Sequence, residues 1–251
     1  MSPLRRTALV AGIFYLVTFV ASIPAVFLLA PVLDDPNYIV SAGADAQVTA
    51  GAVLDLVNAL ACIGTAVALF SVVRLEHEGL ALGFVTTRMF EAAVIVIGVV
   101  SLLAVVTLRN PVATGAEATS LVTAGAALVA VRDWTFLIGP GIVPGLNALL
   151  LGTLMYRSRL VPRWIPILGL IGAPLLISAA VGRMFGVNGE TSVWSAIGLL
   201  PIFVWELSIG LWMTFKGFDP SVPVAQTFAA VTYGTSNDAG SEAPLNRSRS
   251  T

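Results

Sequence analysis

Six long apolar runs, separated by short polar segments, organise the chain: about Ala8–Pro31, Gly51–Arg74, Leu80–Leu108, Phe136–Tyr156, Ile165–Phe185 and Val193–Phe215. Each is long enough to cross a bilayer as a helix. The first is longer than a signal-peptide core, and the small-residue string Ala21-Ser-Ile-Pro-Ala25 lies inside it, so an uncleaved first span is expected. Leu75-Glu-His-Glu-Gly79 is a tight connection that makes spans two and three antiparallel neighbours. Ala118–Val131 is apolar but too short to cross; it is expected as an interfacial helix before the fourth span, ending at Val131-Arg-Asp-Trp134 in the headgroup layer. Two prolines and three glycines in Gly139-Pro-Gly-Ile-Val-Pro-Gly145 predict a kink or break in span four. Beyond Asp219 the chain turns to Ser, Thr, Asn, Pro and Ala without a sustained period, which predicts a disordered tail over 219–251. The expected fold is therefore all-α: one integral membrane bundle of six transmembrane helices over residues 1–218, plus the tail.

Polar residues inside these runs are few and patterned. On span two, Gly51, Asp55, Asn58, Cys62 and Thr65 recur at helical spacing and form one small, polar face. Span three carries Arg88 and Glu91, three residues apart and so within reach of one another. Asn147 on span four and Glu206 on span six fall at a similar depth, near the midplane. Asp55 and Asn58 lie nearer the Arg132-Asp133 turn. A charge at bilayer depth costs about 3 kcal/mol on insertion scales, so these groups need partners. The simplest arrangement is an inward-facing polar core, with Arg88 bridging Glu91 and Glu206, beneath a vestibule lined by Asp55, Asn58, Arg132 and Asp133.

Two readings of this cluster stand open. In one, Asp55, Asn58, Arg88, Glu91, Arg132, Asp133, Asn147 and Glu206 line a site for a small molecule, an ion or a lipid headgroup. In the other they hold helices in register, and a protein partner docks on the loops around Arg132-Asp133-Trp134. A third, an enzyme using Glu91 or Glu206 to move protons, has no motif behind it. Cys62 reads as a packing residue and His77 as a solvated loop residue.

Composition narrows the classes. The chain is 57% hydrophobic and 11% charged, against about 25% charged for a soluble domain. Thirteen basic and 14 acidic residues nearly cancel, which gives no basic surface for nucleic acid. One Cys and one His exclude an internal disulfide and leave almost nothing for a metal centre, so neither metal nor cofactor is expected. Nucleotide-binding, hydrolase and metalloprotease signatures are missing. The basic residues are unevenly shared: Arg5, Arg6, Arg74, Arg157, Arg159, Arg163, Lys216, Arg247 and Arg249 fall on one side of a six-span topology, and Arg109, Arg132 and Arg183 on the other. That bias predicts both termini in the cytoplasm. Asn246-Arg-Ser248 matches a glycosylation triplet but falls in the tail expected on that side.

Several strings together resemble a known family. They are Cys62-Ile-Gly-Thr-Ala-Val-Ala-Leu-Phe70, Glu78-Gly-Leu-Ala-Leu-Gly83 leading to Arg88 and Glu91, and Val131-Arg-Asp-Trp-Thr-Phe-Leu-Ile-Gly-Pro-Gly141. Asn147-Ala-Leu-Leu-Leu-Gly152, Met155-Tyr-Arg-Ser-Arg-Leu-Val-Pro-Arg-Trp-Ile-Pro166 and Trp205-Glu-Leu-Ser-Ile-Gly-Leu-Trp212 complete the set. Over about Arg5 to Phe218 the chain resembles the bacterial multi-pass membrane family called domain of unknown function 4386. The resemblance implies a one-domain protein of a bacterial plasma membrane and carries no reaction, ligand or catalytic residue with it.

Overall fold

The computed structural model describes residues 1–238, and among them the secondary structure is helical throughout. Helices α1 (Pro3–Asp34), α2 (Asp45–Val73), α3 (Glu78–Leu108), α4 (Gly115–Ser158), α5 (Trp164–Met184) and α6 (Val193–Phe215) are long and apolar enough to cross a membrane. A 3-10 turn at Tyr38–Val40 links α1 to α2, and α7 (Pro223–Asp238) follows the last span. Local chemistry sets several ends. Ser2 caps α1 ahead of Pro3 in the first turn, its hydroxyl accepting from Arg5 N–H at 3.3 Å. Ser192 does the same for α6. His77 Nδ1 accepts from Leu80 N–H at 3.2 Å, so this exposed loop residue is the N-cap of α3. Arg159, at φ 57°, ends α4 in the left-handed conformation.

Each helix packs on the next along the chain, and α1 also packs on α6, so the six spans close a ring. At one end of the ring lie Arg5, Arg74, Arg157, Arg163 and Lys216; this is called the basic end, and its opposite the far end. The basic half is dry and tightly filled by Ala8, Ala11, Leu69, Phe84, Leu151, Met155, Ile165, Ile209 and Met213. Glycine makes the α1–α6 contact possible here: a Cβ on Gly12 would lie 2.6 Å from the backbone nitrogen of Thr214. Arg5 clasps the same seam, its guanidinium donating to the carbonyls of Met213 at 3.0 Å and Thr214 at 2.6 Å.

Three expectations are corrected. No separate interfacial helix precedes the fourth span; Ala118–Val131 is the first part of the unbroken 44-residue α4. Tertiary contact explains why it stands upright. Gly125 packs on Ile39, and Leu121, Val122, Leu128 and Val129 cover a small core of Leu29, Val32, Tyr38, Ile39, Leu102 and Val105. Of the kink or break expected at Pro140 and Pro144, the break does not occur: the helix continues through both prolines. Finally, the tail expected to be disordered from residue 219 begins with a helix. Phe218, Val222, Val224, Ala225 and Phe228 bury against the basic end, and Asp219 N–H donates to Leu160 C=O at 3.0 Å. Residues 239–251, with the Asn246 triplet, lie outside the described residues.

Candidate functional site

Arg88 sits where the dry half gives way to a cavity. Its guanidinium donates to Glu91 Oε2 at 3.1 Å, Glu206 Oε1 at 2.9 Å, the Tyr15 hydroxyl at 2.9 Å and Cys62 Sγ at 3.6 Å. Glu91 Oε2 also accepts from the Asn147 amide at 2.8 Å, and Thr87 donates to Asn147 Oδ1 at 2.5 Å. One polar layer therefore ties α1, α2, α3, α4 and α6 together. The Arg88 guanidinium also lies 5.0 Å from the Tyr15 ring and 5.8 Å from the Phe84 ring, so aromatic faces replace part of its lost hydration. Two carboxylates surround one guanidinium, and their exposure differs: the Glu206 side chain is 17% accessible, those of Arg88 and Glu91 3% and 6%.

Above this layer, towards the far end, the ring encloses a cavity of about 520 Å³ to which all six spans contribute. Asp55, Asn58, Cys62, Arg88, Glu91 and Glu206 form its polar lining at depth, and Arg183 and Glu190, paired at 3.2 Å, stand at its mouth. Between these levels Arg132 of α4 reaches across α3 to Asp55 of α2 at 3.1 Å. Gly98 makes that crossing possible, because a Cβ there would meet Arg132 Cδ at 2.9 Å and Thr135 Oγ1 at 2.7 Å. Phe19, Phe136, Leu176 and Leu199 supply apolar wall. Pro140 and Pro144 line it as well; lacking N–H groups, they release the carbonyls of Phe136 and Pro140 from the helix ladder. Arg88 and Arg132, both buried, each keep an Nε without a hydrogen-bond partner.

The sequence-derived set is thus brought together with two exceptions. Asn147 lies behind Glu91 and is not part of the cavity lining. Asp133, expected in the vestibule, is exposed and borders a separate cavity of about 220 Å³ beside Tyr38 and Ile39. Four contributors escaped the sequence reading: Tyr15, Thr87, Arg183 and Glu190. Tyr15 was legible in principle, because Ala8, Ala11, Gly12 and Tyr15 mark one small-residue face of α1. Cys62 is a packing residue, but one whose sulfur touches the guanidinium. Among the described residues no group of His, Cys, Asp and Glu could hold a metal ion.

A second polar cluster braces the far end outside the cavity. Arg109 Nε donates to Asp45 Oδ2 at 3.0 Å, and the Tyr38 hydroxyl donates to Asp45 Oδ1 at 2.9 Å. Burial and that hydrogen bond push the Tyr38 phenol up to about 12.

A closed ring of six apolar helices around a charged, partly apolar cavity defines a multi-pass α-helical membrane protein. The family model described as domain of unknown function (DUF4386) matches residues 10–217, and the chain belongs to that family. No curated protein and no solved structure matches it.

Proposed function

We propose that the protein binds a small molecule in the cavity above Arg88, as a membrane sensor or transporter of the plasma membrane. One observation carries this reading: the Arg88–Glu91–Glu206 layer forms the floor of a cavity of about 520 Å³, with Arg88 and Glu91 buried and Glu206 the accessible member. That volume falls in the range of small-molecule sites, and the lining combines apolar walls with a few convergent charges. The basic residues support an orientation with both termini in the cytoplasm, which turns the mouth at Arg183 and Glu190 outward. Residues 1–218 act as the membrane domain.

A second reading has its own support, since the same layer ties five helices together. In it the charges hold helices in register and function lies with a protein partner. Thermal unfolding in lipid nanodiscs separates the two. Arg88→Leu strands two carboxylates and destabilises under either reading. The triple variant Arg88→Leu/Glu91→Gln/Glu206→Gln removes the charges together. Stability at or above wild type means that the fold does not need them and supports a binding site. A triple variant as unstable as Arg88→Leu makes the layer architectural and sinks the binding proposal.

A further inference from the structure

The cavity wall between α1 and α6 differs in chemistry from the charged mouth at Arg183 and Glu190. Near the basic end α1 and α6 are locked by Arg5 and by the Gly12–Thr214 approach, and at mid-height by the edge-on Phe19–Phe203 stack at 5.1 Å. Further along, Ile23 and Val26 of α1 and Leu199 of α6 all line the cavity, yet they are 47%, 53% and 54% accessible. On the α5 wall of the same cavity, Leu176, Ala179 and Ala180 are buried. Ile23, Val26 and Leu199 therefore touch the cavity on one side and the outer surface of the ring on the other, so a single layer of apolar side chains separates the two between α1 and α6. Counted along the helices, Ile23 lies about 16 Å, Val26 about 12 Å and Leu199 about 9 Å from the far-end termini. All three positions lie inside helices long and apolar enough to cross a membrane. The wall formed by Ile23, Val26 and Leu199 is apolar, while the mouth at Arg183 and Glu190 is charged.

The floor selects the head of whatever enters. Its layer holds one guanidinium and two carboxylates, an excess of one negative charge. Glu91 is engaged by both Arg88 and Asn147, whereas Glu206 meets Arg88 through Oε1 alone and has the most exposed side chain of the three. An inorganic cation would be poorly served, because no cluster of metal-ligating side chains exists among the described residues and much of the wall is apolar. Building on the proposed binding reading, we infer that the ligand is a cationic amphiphile, an ammonium head on an aliphatic chain. It enters from the bilayer between α1 and α6, sets its head against Glu206, and leaves its chain against the apolar wall between those helices.

The test uses the full chain in lipid nanodiscs, with empty nanodiscs as background. Three labelled probes of equal chain length are compared: dodecyltrimethylammonium, dodecyl sulfate and dodecanol. Saturable binding of the ammonium probe alone is expected. Glu206→Gln should weaken it about tenfold or more, as for loss of a charge-assisted contact. Ala180→Phe fills the cavity from α5 without touching the Arg88 layer and should abolish binding, which keeps the test decisive if Glu206→Gln does not fold. Val26→Trp/Leu199→Trp thickens the side-chain layer between α1 and α6 and should slow uptake about tenfold at unchanged final occupancy. Preference for the sulfate probe, or no saturable binding of any probe, overturns the cationic class. Uptake unaffected by the two tryptophans overturns entry from the bilayer. Both failures leave the cavity reading to be judged by the charge-neutral triple variant, which involves no ligand.

Discussion

The two halves of the ring are built from similar apolar helices and differ in how the helices meet. In the basic half, Gly12 and Gly210 bring α1 and α6 into backbone contact, and Leu, Phe and Met side chains fill the centre. In the far half, the small positions serve something else: Gly98 lets Arg132 cross over α3, and Gly141 lies on the cavity wall. Lipid offers apolar helices no hydrophobic gain from associating, so close packing must hold the dry half while charge pairs and a braced loop hold the hollow one. Small residues are therefore not one signal; their meaning depends on what faces them.

The largest effect is expected at the boundary between the halves. Arg88→Leu leaves Glu91 and Glu206 buried without their cation and should cost about 3–5 kcal/mol in chemical or thermal unfolding. Next comes a matched pair of glycine substitutions. Gly12→Ala should cost about 1–3 kcal/mol, because the new methyl meets the backbone of Thr214 and Gly210, which cannot step aside. Gly98→Ala meets side-chain atoms of Arg132 and Thr135. Its cost should be about 1 kcal/mol, through a displaced Arg132–Asp55 pair. A larger loss at Gly98 than at Gly12 would mean that the hollow half is the more rigid one.

The smallest effect lies in the far-end brace. The Tyr38 phenol is raised to about 12 in the folded chain, so the folded state holds its proton more tightly than the unfolded one. The stability it contributes is fully present below about pH 10, the ordinary phenol value, and is lost as pH rises from there to about 12. Measured against Tyr38→Phe, the wild-type advantage should shrink across that window. A gap that stays constant through it would show that the phenol holds its proton no more tightly in the folded chain than in the unfolded one.

Much of this molecule is legible in its sequence alone. Apolar run lengths located six spans, and the depth of Arg88, Glu91, Asn147 and Glu206 placed them in one layer, because 1.5 Å per residue converts position into height. Height is not direction, however. Asp133 follows Arg132 by a single residue, so it lies about 100° around α4 and borders a different cavity. Ala118–Val131 was too short for a span by length alone, and only its contact with Ile39 and the Leu102 core shows that it extends one long helix. Val224, Ala225 and Phe228 form too short an apolar pattern to stand out within a polar tail, and they bury because the basic end offers them a surface.

By itself, then, the sequence determined the environment, the number of spans and the presence of charges that water would not solvate. These follow from composition and helical rise, which are local properties. Tertiary structure alone decided that α1 meets α6 to close a ring, that Tyr15 joins the Arg88 layer, and that the far half stays hollow. Those features depend on which faces meet across the bundle. A periodic apolar helix offers several faces of similar hydrophobicity, and only packing selects among them.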